Sequence, residues 1–501
     1  MDLKYNYKEV TALKKTIALV LSLLIALLSL NACDYFIPFC DDFIPSPSLA
    51  SADTTSLSSK KSPEGVSSKN SSKQNKPSSS KKQSSTSKPN NKGENYIKVE
   101  EPIVTDKDIK EPENAGKIKE LVISSKHTAL KSSSYYQYSS LNSNEKSLYN
   151  LILTAIKSSR NVINFKNQTY SNTQITVVLQ KVLADHPQFF YISRKYWYVR
   201  SSNSTKPTAL ILSYFDGKVS DEIDDNFNFT QTADRTIINE KIDKLKTAIE
   251  KNLSNIPPED SDIIKEKKIY DCVLKTILYD VGAAKNVDNV WVTHSYDLYG
   301  AVVNKTAVCE GYAKMFQFLC YCVGINATQV IGVGNEEEHM WNAVLIENEW
   351  YHADLTWSDV DLAWSDLTRV YDYSYFNQTT ENISKDHVID SSSLSVPICN
   401  STKNSFINVF AIEITDLNSP PANYENTVAN IIKSGGNRIY LYVNRDGSVV
   451  GNLNFSRNYE RYINNYMLNP KSEFSNYFLT QGITLLADIR KVANFYVLTL
   501  K

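Results

Sequence analysis

The chain has 501 residues, 54 Lys+Arg against 55 Asp+Glu, 42% hydrophobic residues and 11% aromatics. That length exceeds what one hydrophobic core usually serves, and a formal charge of −1 excludes a general nucleic-acid binder, which carries a basic excess. Seven cysteines are too few for a disulfide-built framework, and the lack of a run of 18 apolar residues beyond the N-terminal region excludes a multi-span membrane protein.

The N-terminus reads as an export signal. Lys4, Lys8, Lys14 and Lys15 precede the apolar run Thr16 to Leu30, which meets Asn31-Ala32-Cys33, the order of charged, apolar and small residues that marks a secretory signal. Leu30-Asn31-Ala32-Cys33 resembles the bacterial lipobox, which implies a signal over 1–32, a lipid on Cys33 and attachment to a membrane from outside. An uncleaved signal anchor or ordinary cleavage is the plainer alternative. Residues 33–117 read as a linker. Within it, 51–92 hold 15 Ser and 9 Lys with only Asp53 and Glu64 as acids, and such a stretch cannot bury enough apolar surface to offset its ordering entropy. It serves as a soluble spacer or, through its charge, as a tether drawn to anionic envelope polymers or lipid headgroups.

Residues 118–254 read as an α+β unit. Leu148, Leu151, Ile152, Ala155 and Ile156 give helical spacing over 144–163 behind an N-cap at Ser143. A second helix over 174–185 stops at Asp185-His186-Pro187, and strands follow at 189–191, 196–199 and 209–214. His186 is read as part of the helix stop, and this unit carries no chemistry.

Residues 255–395 form the next unit, with helices expected over Ile263 to Asp280, His294 to Val303 and Cys309 to Val323, the last ended by Gly324. Strands are expected over Asn326 to Gly334 and Met340 to Glu347, and a turn at Glu347-Asn348 leads into a third, Trp350 to Trp357. Residues 396–501 read as a small α/β accessory domain, with strands at 406–415, 438–443, 483–489 and 493–500 and helices at 423–433 and 456–468.

Chemistry concentrates in the middle unit. Cys309 stands where a loop enters a helix, and the macrodipole and free N–H groups there favour thiolate over thiol and offer an oxyanion hole. A thiol nucleophile needs a base, and the base needs an orienting partner; His339 and Asp354 supply both. A two-residue turn at Glu347-Asn348 sets Asp354 opposite Trp341 and His339 opposite Thr356, so the two side chains share a face as diagonal neighbours, about 7–8 Å apart at the backbone. Cys320 and Cys322 lie in an apolar helix and lack a second ligand pair at zinc spacing. His352 shares the face of Asp354 and is either a supporting group or exposed. Trp341, Trp350, Trp357 and Trp364 read as hairpin packing before cleft lining. Tyr299 and Tyr312 are weaker candidates for oxyanion donors, and Gly332-Val333-Gly334 is too short for phosphate binding.

Three blocks, Thr306-Ala307-Val308-Cys309-Glu310-Gly311-Tyr312-Ala313, Glu338-His339-Met340-Trp341-Asn342 and Trp350-Tyr351-His352-Ala353-Asp354-Leu355-Thr356-Trp357, resemble those of bacterial transglutaminase-like domains. Tyr296-Asp297-Leu298-Tyr299-Gly300-Ala301 and Tyr375-Phe376 fit the same pattern, and the resemblance spans about 256–390. It implies an α+β, papain-like core with Cys309 as nucleophile, His339 as base and Asp354 as orienter, in a family of cross-linkers, proteases, deglycosylating amidases and members without catalysis. Met340 departs from the pattern, standing where a small residue is usual, which puts access to His339 in question. Taken with the lipobox, the resemblance points to a lipid-anchored, extracytoplasmic thiol enzyme acting on protein or peptide amide bonds by way of a thioester, with hydrolysis or a non-catalytic envelope-binding scaffold as alternatives. No cofactor or metal is called for, and no nucleic-acid partner.

Overall fold

The computed structural model describes residues 116–165, 168–201, 204–224, 228–285, 293–359, 371–413, 424–434, 438–442, 488–492 and 495–499. The signal, Cys33, the Ser/Lys tract, Trp364 and the helix expected over 456–468 lie outside them. Among the described residues no helix is long and apolar enough to cross a membrane.

The first lobe begins with α1 (Ser143–Lys157), β1 (Val162–Asn164) and α2 (Asn172–Asp185). Both helices open on reciprocal capping boxes, Asn142 with Glu145 and Ser171 with Gln174, so the cap of α1 lies one residue before the Ser143 expected. The expected run to Ile163 breaks at Ser159, whose φ of 59° reverses the chain and frees Val162 and Ile163 for a strand. α2 ends on His186 as the following proline requires. Phe189 to Tyr191 are not a strand: the N–H of Phe189 donates to His186 O and that of Ile192 to Phe189 O, which closes two turns before β2 (Ile192–Val199). With β3 (Ala209–Tyr214) the strands form an antiparallel sheet ordered β1-β3-β2, and α3 (Arg235–Leu253) follows.

α4 (Asp262–Thr276) ends earlier than the expected Asp280, because Leu278 and Tyr279 pair in parallel with Thr306 and Ala307. That short pairing fixes the chain immediately before α5 (Cys309–Cys322). The helix expected over His294 to Val303 is a 3₁₀ turn at His294–Tyr296 and a π turn at Gly300–Asn304. After α5, β4 (Ala327–Gly334), β5 (Glu337–Ile346) and β6 (Glu349–Ala353) run antiparallel, and β7 (His387–Asp390) joins the far edge, giving the order β6-β5-β4-β7. Glu347 and Asn348 both take positive φ, the backbone of a tight hairpin turn. β6 stops at Ala353 rather than Trp357, since Asp354 caps α6 (Leu355–Ser358).

Phe406–Phe410 is a short helix, α7, where a strand was expected, because the Ser405 side chain accepts the N–H of Asn408 and starts a turn. β8 (Ala411–Glu413), α8 (Tyr424–Lys433), β9 (Arg438–Tyr442), β10 (Asp488–Val492) and β11 (Phe495–Thr499) follow. The sheet is ordered β8-β9-β11-β10, parallel only between β8 and β9. One contiguous set of buried apolar side chains runs from Ile118 to Tyr440, so the lobes share a core.

Candidate active site

Cys309 is the first residue of α5, behind an extended Val308, and its side chain is half-buried. Gly311 lets the helix start there: a Cβ on it would lie 2.5 Å from the Cβ of Ala307. Cys309 packs on a small cluster of Ala184, Ala313, Ile331, Met340 and Leu394, four of which line a cleft between the first lobe and the core. Met340 is 3% exposed and forms part of that wall, on the face of β5 opposite to His339. Glu310 lies beside it, buried, and accepts from Arg194 at 2.5 Å and Lys314 at 2.6 Å.

The hairpin register is the one the turn dictates, with Glu349 opposite Ile346 and Ala353 opposite Asn342. Asp354 follows on the face of His339, and His339 Nε2 meets Asp354 Oδ2 at 2.7 Å. Cys309 stands close enough to His339 to help raise it; with Nε2 on Asp354, Nδ1 is the nitrogen left for the thiol. The three expected residues thus lie in one neighbourhood, with His339 and Asp354 in direct contact. The other carboxylate oxygen, Oδ1, accepts the N–H groups of Thr356 at 2.9 Å and Trp357 at 3.1 Å, so α6 holds the carboxylate in place. Burial disfavours charge at both ends of the pair, and their attraction wins. His339 is pulled down by burial but raised overall to about 10 by the Asp354 charge and hydrogen bond, with a smaller push from Cys309. Asp354, raised by burial, is held well below the usual carboxylate range by His339 and His387.

His387, which the sequence reading did not single out, enters from β7, where it stands opposite Gly334. Its Nε2 lies 3.1 Å from Asp354 Oδ2 and its Nδ1 2.6 Å from Asp386 Oδ1. It falls 33 residues beyond Asp354 on an edge strand, and no local pattern marks it. His339, Asp354 and His387 lie close enough to hold a metal ion, with donor atoms within 4.8 Å of one another; their contacts of 2.7 and 3.1 Å are hydrogen bonds between the side chains.

The remaining candidates are placed elsewhere. His352 is fully buried and bridges Trp341 Nε1 and Thr380 Oγ1 at 3.1 Å each; burial, then His387, lowers it to about 4. Trp341 stacks on His339 and Trp357 packs against His339 and His387, while Trp350 meets Tyr136. Tyr312 donates to Asp359 at 2.7 Å and Tyr299 stacks on Phe190. Cys320 and Cys322 are buried core residues.

Residues 247–355 match the model of the transglutaminase-like superfamily. Kyphoscoliosis peptidase of Mus musculus is 26% identical over 144 residues, which cover 26% of this chain and 21% of that protein. The Homo sapiens protein of the same name is 25% identical over 160 residues, covering 29% and 24%. The chain therefore spans less than a quarter of the length of these relatives. A crystal structure of a TGase, 15% identical, covers 34% of this chain and 47% of that one at a TM-score of 0.22, a likeness too slight to carry an argument. The chain carries a transglutaminase-like domain, built on an α+β, papain-like core.

Proposed function

We propose that the protein is an extracytoplasmic, lipid-anchored thiol enzyme acting on amide bonds of proteins or peptides, with Cys309 as nucleophile, His339 as proton carrier and Asp354 as the group that orients the imidazole. The observation that carries this reading is the 2.7 Å contact of His339 with the buried Asp354 carboxylate, next to a helix-start thiol that acts on the imidazole and borders a cleft. The Cys309 thiolate adds to the carbonyl carbon of a carboxamide. The C–N bond breaks as His339 gives its proton to the leaving nitrogen, and a thioester remains. An amine or water then adds to the thioester, its proton passes to His339, and the thiolate departs. The N–H groups of Cys309 and Glu310 precede the first helical hydrogen bond and are the donors available to the oxyanion.

Transfer to an amine is the first reading. Hydrolysis is the second, favoured by the peptidase name of the two curated relatives. Incorporation of a labelled amine into casein, run beside release of new amino termini from the same protein, tests both. Incorporation lost in Cys309→Ala supports transfer, cleavage lost in Cys309→Ala supports hydrolysis, and neither activity with any of a panel of protein substrates returns the domain to a scaffold role.

A further inference from the structure

Asp354 accepts from two imidazoles on one oxygen, and the second of them stands between two carboxylates. His387 meets Asp354 Oδ2 at 3.1 Å on one side and Asp386 Oδ1 at 2.6 Å on the other. An ionised carboxylate can only accept, so both hydrogen bonds are made together only by the doubly protonated ring. His387 is completely buried, whereas Asp386 is 37% exposed and also accepts from Tyr375 Oη at 2.8 Å. The chain Asp386–His387–Asp354–His339–Cys309 therefore reaches from the surface to the thiol. The charged and titratable groups facing His387 are Asp354, His339, His352, Asp386 and Tyr375; Trp341 and Trp357 close the remaining sides with apolar rings.

The geometry points to His387 as a positioning residue of the active site: it holds the same Asp354 oxygen that meets His339, and its positive charge offsets the Asp354 carboxylate beside the His339–Cys309 pair. This rests on the thiol-enzyme reading above. The ring centroids of His339 and His387 are 5.4 Å apart, a separation at which like charges repel appreciably in a protein interior. With the charge of His387 removed, the Asp354 carboxylate is less compensated, and the Cys309 thiol beside His339 gives up its proton only at higher pH.

The test is the rate of Cys309 alkylation by iodoacetamide, followed by mass spectrometry from pH 5 to pH 10 in the full chain. His387→Gln keeps an amide donor for Asp354 and removes the charge. Its half-maximal pH is expected to rise by about 0.5 units or more, with the plateau rate within about threefold of wild type. Asp386→Asn removes one of the two carboxylates that require the second ring proton, at a partly exposed position, and is expected to shift the curve in the same direction by less. A packing role alone would lower the rate at every pH and leave the half-maximal pH in place. An unchanged half-maximal pH in His387→Gln overturns the inference; if that variant does not fold, the same result in Asp386→Asn overturns it. His339→Ala separates the two levels. If it leaves Cys309 labelling untouched, the thiol-enzyme reading and this inference fall together. If it slows labelling while the other two variants do nothing, only the role of His387 falls.

Discussion

Among the five cysteines of the described residues, the environments separate one from the rest. Burial raises the Cys272 thiol, takes Cys320 well above its ordinary range, and pushes Cys322 and Cys399 to about 12. Cys399, in a polar stretch of sequence, is fully buried, packed near Val330, Trp341 and Ile383. Low-concentration iodoacetamide at neutral pH is expected to label Cys309 first, and His339→Ala to slow that labelling by about tenfold or more; faster labelling of any other cysteine in the mapped peptides would count against the assembled line. Asp354 has two duties that substitution can separate. Asp354→Asn retains an oxygen for the α6 N–H groups and is expected to slow labelling with a small loss of thermal stability. Asp354→Ala removes the cap as well, at a further cost of about 1 kcal/mol, read as a lower melting temperature than that of the Asn variant. The helix start at Cys309 and the shared face of His339 and Asp354 were legible in the sequence, because a helix start and hairpin parity are local properties. His387 was not, because its partner is reached only through the β4–β7 pairing.

Strands and helices carry the next set of consequences. β7 lies so close to β4 that a Cβ on Gly332 would stand 2.1 Å from Val388 O and 2.8 Å from the Trp341 ring. Gly332→Ala is expected to cost about 1–3 kcal/mol in urea unfolding and to slow Cys309 labelling by displacing the strand that holds His387; wild-type stability would mean that β7 docks more loosely. On α4, burial raises Glu266 to about 8, and its carboxyl meets Asn377 at 2.9 Å. On α2, burial likewise raises Asp185 to about 7. A raised folded value means that the group binds its proton more tightly in the folded state. Its contribution to stability is complete below about pH 4.5 and lost as pH rises through the folded value. The protein is thus expected to lose stability between pH 5 and pH 8, and Glu266→Gln to narrow that difference by about 1 kcal/mol or more. An unchanged difference in urea midpoints would remove Glu266 from the account. The existence of these elements was largely readable from periodicity, whereas their ends were set by single contacts: the parallel pairing that stops α4, the reversal at Ser159 that stops α1, and the cap that turns β6 into α6.

At the scale of the molecule, the shared core decides what can be detached. Phe376, Phe406 and Tyr440 belong to the same buried set as Leu148 and Phe316, and Gln137, just ahead of α1, hydrogen-bonds Thr328 of β4 and the backbone of Ser395. Residues 247–355 expressed alone are therefore expected to show no cooperative thermal transition, while 116–501 unfolds cooperatively; a sharp transition in the short piece would show that it folds by itself. For the region before residue 116, the lipobox proposal predicts that Cys33→Ala moves the protein from the membrane fraction to a soluble or uncleaved form. Unchanged processing and membrane association would argue against lipidation.

The cleft beside Cys309 draws one wall from α2 and β2, through Ala184 and Arg194, and the other from Ile331 and Met340 of the core. On the thiol-enzyme reading, the reacting groups and one wall of the cleft are consequently encoded in separate stretches of the chain. Selection acting on that wall can rewrite residues 180–194 and leave Cys309, His339 and Asp354 alone, so two proteins that agree from 309 to 354 and differ in this lobe would perform one reaction for different customers. Exchanging the lobe between such proteins offers a way to retarget the reaction without redesigning the residues that carry it out.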